Sequence, residues 1–175
     1  GSTSGYTAAH RRSSTTLTTY SSNSNNNDFY VNPADGVRRY YFSHGTAAAD
    51  NDSTLAAYKT RLATRDQSAF AELPPFVNVA STPYDLHMQT TSSTQTESGA
   101  IPISSPSITL DYDGDARNGS TPDVGADEFA GIGLDLSAPS ISYTVLANTS
   151  NITSRTLSAV TITDASGVNT TVGTK

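Results

Sequence analysis

Along this chain, apolar residues come in short alternating runs separated by turn residues, and only one stretch carries a helical period. Val37 to Phe42 reads as a strand between the turn signals Pro33-Ala34-Asp35-Gly36 and Ser43-His44-Gly45. Phe76 to Val79 and Tyr84 to Met88 read as two more. Ser140 to Leu146 alternates cleanly, with Ile141, Tyr143 and Val145 on one face. Thr156 to Thr163 predicts a further strand, closed by the turn Asp164-Ala165-Ser166-Gly167. Ile101 to Leu110 mixes apolar residues with Pro102 and Pro106, which confines it to an edge or a loop.

The helical stretch is Ser53 to Leu62, where Leu55, Tyr58 and Leu62 share a face and Asp52 or Ser53 can cap the first turn. A second helical piece, Asp66 to Glu72, is expected to stop at Pro74-Pro75. Residues 1–27 are low in complexity, but Leu17 and Tyr20 punctuate the Thr run and Asn23 to Asn27 lead into Asp28-Phe29-Tyr30-Val31. Stacked polar side chains at turns between short strands explain this better than a free linker. Pro139 and the glycines at 131 and 133 mark a boundary near residue 135.

Composition sharpens this picture. Of the 175 residues, 15% are charged and 35% hydrophobic, with Ser, Thr and Asn abundant throughout. So little charge argues against a solvating disordered chain, and Thr and Val suit half-buried pleated surfaces. The formal charge of −6 disfavours nucleic acid as a partner, since such proteins present a basic patch and Arg11-Arg12 and Arg38-Arg39 are too few to make one. No apolar run approaches the ~20 residues of a membrane-spanning helix, so membrane insertion by a helix is not expected. Cysteine is absent, which excludes disulfides and thiolate metal sites. Five Asn-x-Ser/Thr sequences (Asn51, Asn118, Asn148, Asn151, Asn169) are expected by coincidence in such a composition.

The series Phe76-Val77-Asn78, Tyr84-Asp85-Leu86-His87-Met88, Asp111-Tyr112-Asp113-Gly114-Asp115-Ala116-Arg117 and Pro122-Asp123-Val124-Gly125-Ala126-Asp127-Glu128-Phe129 resembles the C-terminal end of right-handed parallel β-helix, pectin-lyase-like repeat proteins. These are often large secreted or cell-surface proteins of Bacteroidetes-type bacteria. The resemblance covers roughly residues 23–130 and implies an all-β fold. Residues 1–134 would form the closing coils and cap of a solenoid with a short helical insertion. Residues 135–175 resemble the opening strands of an Ig-like repeat. About 40 residues are too few for a sandwich of about 100, so this part is expected to be truncated or completed by a neighbouring chain.

Two readings compete for the acidic run. Asp111, Asp113 and Asp115 could converge oxygens on one calcium ion. An EF-hand loop, however, has Gly at its sixth position and Glu at its twelfth, whereas here Gly114 is fourth and Pro122 twelfth. The favoured reading is structural: Asp113-Gly114 makes a tight turn, and Arg117 pairs with Asp123 or Glu128 as a cap. A glycosidase couple from Asp111/Asp113 or Asp127/Glu128 is weaker, because adjacent strand residues point to opposite faces. In pectin-lyase-like enzymes the catalytic groups lie on middle coils, which are mostly absent here.

His10, His44 and His87 have no metal-ligand spacing, and a packing or hydrogen-bonding role is expected for His87. Tyr40-Tyr41-Phe42 is read as core before sugar platform. Asp52-Ser53-Thr54 matches a short bacterial O-glycosylation pattern at Ser53. No nucleophile elbow, phosphate loop or dinucleotide fingerprint appears.

The expectation is therefore a non-catalytic structural or adhesive module of a secreted cell-surface protein, with filament assembly as one form. Self-association or neighbouring domains are its expected partners, and polysaccharide a further one. The alternatives are the non-catalytic end of a polysaccharide lyase or hydrolase, or a carbohydrate-binding module.

Overall fold

A computed structural model describes residues 7–31, 39–145 and 160–164. The chain divides into two compact units, Gly1–Leu134 and Asp135–Lys175.

The first unit is organised by aromatic side chains. Strand β1 (Thr7–Arg11) runs parallel to β2 (Arg39–Ser43), placing Ala8 opposite Tyr40 and His10 opposite Phe42. The other edge of β2 takes β3 (Asn51–Asp52) in antiparallel register. Helix α1 (Leu55–Leu62) follows, started by Thr54, whose hydroxyl accepts the Ala57 N–H at 3.1 Å. It ends at Ala63, whose φ of −50° and ψ of 131° leave the helical region. Tyr58 and Leu62, one turn apart on α1, meet Phe42 in a core with no exposed surface. Leu17, Tyr20, Phe29, Tyr41 and Leu55 pack around it. Burying side chains of this kind stabilises a fold by roughly 1.5–3 kcal/mol each, so this small cluster is the main apolar anchor of the unit.

Beyond the core, order comes from short ladders and from side chains bonded to backbone. Strand β4 (Phe76–Asn78) pairs antiparallel with β5 (Asp85–Met88), and β6 (Ser93–Thr94) pairs parallel with β7 (Ile132–Gly133). Asn25 Oδ1 accepts the Ser68 N–H at 2.7 Å, Asp28 Oδ1 the Glu72 N–H at 3.0 Å, and Glu72 Oε2 the Gln95 N–H at 3.0 Å. In the second unit, the described residues contain β8 (Ser140–Ser142) and β9 (Thr161–Thr163), an antiparallel pair with Ile141 opposite Ile162 and every position exposed.

This architecture overturns the expected parallel β-helix. A solenoid needs equivalent strands stacked coil upon coil in continuous parallel ladders. Among the described residues the strands are two to five residues long, lie in four separate small sheets, and form antiparallel ladders in three of five pairings. The physical reason is local: Asn, Asp, Ser and Thr side chains take up the backbone donors that stacked coils would use. Nor do the described residues of the second unit form part of a sandwich. They make one two-stranded ladder with no buried face.

Smaller expectations also shift. Thr54 rather than Asp52 or Ser53 caps the helix, because Asp52 is held by Arg61 instead. No helix forms over residues 66–72: Asp66 adopts φ 52° as a buried acceptor, and Phe70 bridges to Asp28. Val37 and Arg38, Leu146, residues 156–159 and the turn 165–167 lie outside the described residues.

Candidate functional site

The run from Asp111 to Glu128 folds into a loop whose acidic side chains serve as acceptors for its own backbone. Asp111 Oδ1 accepts the N–H groups of Asp113 (2.9 Å) and Asp115 (2.8 Å), and its Oδ2 accepts that of Glu128 (3.0 Å). These N–H donors, that of Glu128 foremost, hold its carboxyl below the usual carboxylate range. Gly114 has φ +91° and Gly125 φ +119°, left-handed conformations that a Cβ would strain.

Glu128 is the second acceptor. Its Oε1 takes the Asn118 N–H at 2.8 Å, and its Oε2 takes the Asp123 N–H at 3.0 Å and Arg117 Nη1 at 3.4 Å. Arg117 also donates to the carbonyls of Asp123 (3.0 Å) and Gly125 (2.5 Å), so the guanidinium spans both sides of the loop. The Arg117 contact with Asp123 is therefore through the main chain, and its charge partner is Glu128. Asp123 turns inward, only 2% exposed, where its carboxylate accepts the Ser98 N–H (2.6 Å) and the Phe129 N–H (2.7 Å). Burial pushes its pKa up despite those donors.

Asp113 points elsewhere. Its Oδ2 lies 3.1 Å from Nε2 of His87 on β5, and Nδ1 of the same ring lies 2.6 Å from Asp85 Oδ1. Asp127 Oδ2 accepts the Met88 N–H at 2.7 Å, which draws this carboxylate to the same strand. His87, Asp113 and Asp127 each present a ligand atom, and these atoms all lie within 4.8 Å of one another. Of the aspartates read as a calcium loop, Asp113 joins this group, whereas Asp111 and Asp115 do not. The hydrogen bond and charge of Asp85, and then those of Asp113, raise the His87 pKa above its ordinary value. The spacing Asp85-x-His87 was a usable signal, since residues two apart on a strand share a face. The partnership with Asp113 and Asp127 had none, because it joins segments 26 and 40 residues from His87.

The other histidines serve packing and pairing. His10 sits among Tyr20, Phe29, Phe42 and Tyr58, with Nδ1 3.1 Å from the Tyr58 oxygen. Burial, followed by the nearby Arg12, lowers its pKa. His44 Nε2 is 3.8 Å from Asp50. Tyr58 and Tyr20 hydroxyls donate to Asp66 at 2.6 and 2.5 Å, joined by Ser24 Oγ and Asn27 Nδ2 at 2.9 and 2.8 Å. Phe42 of the aromatic run is core, Ser53 is exposed just before the helix cap, and Asn118 Oδ1 accepts the N–H groups of Ser120 and Thr121.

An open groove of about 1100 Å³ adjoins the loop, its lining including Asn23, Asn25, Asn26, Ile103, Tyr112 and Val124. Tyr112 is 87% exposed. No helix among the described residues is long and apolar enough to cross a membrane. Comparison of the chain with protein-family models, curated proteins and solved structures found no match.

Proposed function

We propose that this chain is a non-catalytic structural or adhesive module of a secreted bacterial cell-surface protein. The observation that carries the reading is the use made of the acidic residues. Asp111, Asp123, Asp127 and Glu128 all accept backbone N–H groups, so the carboxylates most suggestive of acid–base chemistry act as staples for a loop. A glycosidase couple needs two carboxyls facing one cleft and free to exchange protons; Asp127 and Glu128 instead bind different segments. The resemblance of the same loop to the ends of secreted repeat proteins supports the extracellular setting. Calcium held by Asp111, Asp113 and Asp115 is a weaker proposal. The two N–H groups on Asp111 Oδ1 and the one on Oδ2 leave that carboxylate little coordinating capacity.

Self-association is the partner this reading favours. Val77, Val79, Tyr84 and Leu86 on and beside the β4–β5 ladder are all more than half exposed, and short open sheets offer unpaired backbone to another chain. Sedimentation velocity across a concentration series, with turnover assays on acidic and neutral polysaccharides, tests the proposal. Concentration-dependent assembly without turnover is expected. Turnover by the chain itself would overturn the non-catalytic reading.

Polysaccharide binding is a second reading, favoured by the groove with its amide side chains and the exposed Tyr112 ring at one wall. Glycan-array binding lost on Tyr112→Ala would establish it, and an array with no signal would remove it.

A further inference from the structure

We propose that His87, Asp113 and Asp127 form a binding site for a first-row divalent transition-metal ion of the zinc class. Three segments distant in sequence meet there: strand β5, the turn at Asp113-Gly114, and the end of the stapled loop. Their ligand atoms already lie within 4.8 Å of one another. A tetrahedral site with metal–ligand bonds of about 2.0–2.2 Å brings its ligand atoms to about 3.3 Å apart. The 3.1 Å from His87 Nε2 to Asp113 Oδ2 already meets that spacing. The remaining closure is within reach of side-chain rotation, since both His87 and Asp113 are exposed.

The imidazole selects the class of ion. Calcium and magnesium take oxygen ligands, whereas one imidazole nitrogen with carboxylate oxygens suits zinc and its neighbours. The ring is also oriented as a ligand is. Asp85 Oδ1 lies 2.6 Å from Nδ1 and accepts the His87 backbone N–H at 3.0 Å, fixing the proton on Nδ1 and leaving Nε2 to face Asp113 and Asp127. A carboxylate behind a metal-bound histidine plays this orienting part in established metal sites. Asp127 is positioned in turn by the Met88 N–H on one of its oxygens.

Charge provides an argument separate from geometry. Asp85, Asp113 and Asp127 surround one imidazole, so even a protonated ring leaves the cluster two negative charges in excess. The cation nearest in sequence, Arg117, is committed to Glu128 and two carbonyls. A divalent ion replaces the Nε2 proton, which passes to solvent, and cuts the excess from two negative charges to one. Water would complete the coordination on the exposed side, and the ion would tie β5 to both ends of the loop.

Untagged full-length protein, stripped with chelator, should be titrated with Zn²⁺ calorimetrically and with Co²⁺ by visible absorption. One equivalent is expected, with the Co²⁺ spectrum reporting nitrogen and oxygen ligands. His87→Ala and Asp113→Asn should each weaken binding about tenfold or more, while His44→Ala leaves it unchanged. Affinity should fall with pH as protons compete for His87, which faces Asp85, Asp113 and Asp127. In the unsubstituted protein, Zn²⁺ should shift the His87 imidazole signals in NMR, a readout independent of any variant's folding. Absence of saturable Zn²⁺ binding, binding indifferent to His87→Ala, or equal competition by Ca²⁺ would each overturn the proposal.

Discussion

Asp66 shows how much a single polar residue can carry in a small core. Burial alone would raise its pKa, but hydrogen bonds from Tyr20, Tyr58, Asn27 and Ser24 outweigh that and hold it below the usual carboxylate range. Its replacement by alanine would leave four donors without their acceptor in a site of zero exposure. We expect Asp66→Ala to cost about 2–3 kcal/mol, within the range for leaving buried hydrogen-bond donors unsatisfied, measured by urea denaturation at neutral pH. Because the folded value lies below the unfolded one, this stabilisation is present above the unfolded pKa and is lost as pH falls through the folded one. Asp28 has the opposite sign. Burial, with the Glu72 charge adding to it and the Glu72 N–H opposing, pushes it up to about 6. Its contribution is therefore full below the unfolded value and is lost as pH rises through about 6. Asp28→Asn keeps an acceptor for the Glu72 N–H and removes the charge. It should stabilise the protein by about 1 kcal/mol at pH 7 after allowance for solvent screening, with the gain vanishing below about pH 4. Paired denaturation curves at the two pH values would check this. Neither role was apparent in the sequence. Asp66 opened an expected helix and Asp28 followed an Asn run, and only folding brings their partners from 8 to 46 residues away.

At the scale of elements, α1 was the most legible feature, because its period of apolar positions at 55, 58 and 62 is a local property. Its cap was not. Asp52, Ser53 and Thr54 are all good cap residues, and the choice fell to Thr54 once the Arg61 fork held Asp52 at 2.6 and 2.8 Å. We expect Thr54→Ala to cost about 1 kcal/mol and Ser53→Ala to leave stability unchanged, by chemical denaturation of both variants. Strands β4 and β5 fall within the segments read as strands, whereas their antiparallel pairing contradicts the stacked coils that the resemblance implied. Strand pairing is non-local, and a run of four residues does not specify its neighbour. The acidic loop lies between these cases. Asp113-Gly114 marks a turn in any context, but the division of labour among the carboxylates depends on which backbone N–H groups are nearby.

At the scale of the first unit, the carboxylates do work that ladders do in larger sheets. Asp123 links residue 98 to residue 129, Glu97 Oε2 accepts the Gly131 N–H at 2.8 Å, and Glu72 binds both the Thr94 hydroxyl and the Gln95 N–H. Asp123→Ala would orphan two part-buried donors, with an expected cost of about 2–3 kcal/mol. Hydrogen exchange should then speed up at the Ser98 and Phe129 amides while the Tyr58 amide in α1 keeps its protection. Equal acceleration at all three would mean that the whole unit had loosened and would refute a local staple. By itself the sequence determined the turn-rich texture, the amphipathic helix α1, the segments that became β4 and β5, and the acidic balance, since these depend on residue type and short spacing. The tertiary structure decided which strands pair, which acids are buried, and that His87 meets Asp113 and Asp127. Those outcomes depend on competition among distant partners for the same backbone donors, and no local pattern encodes which partner wins.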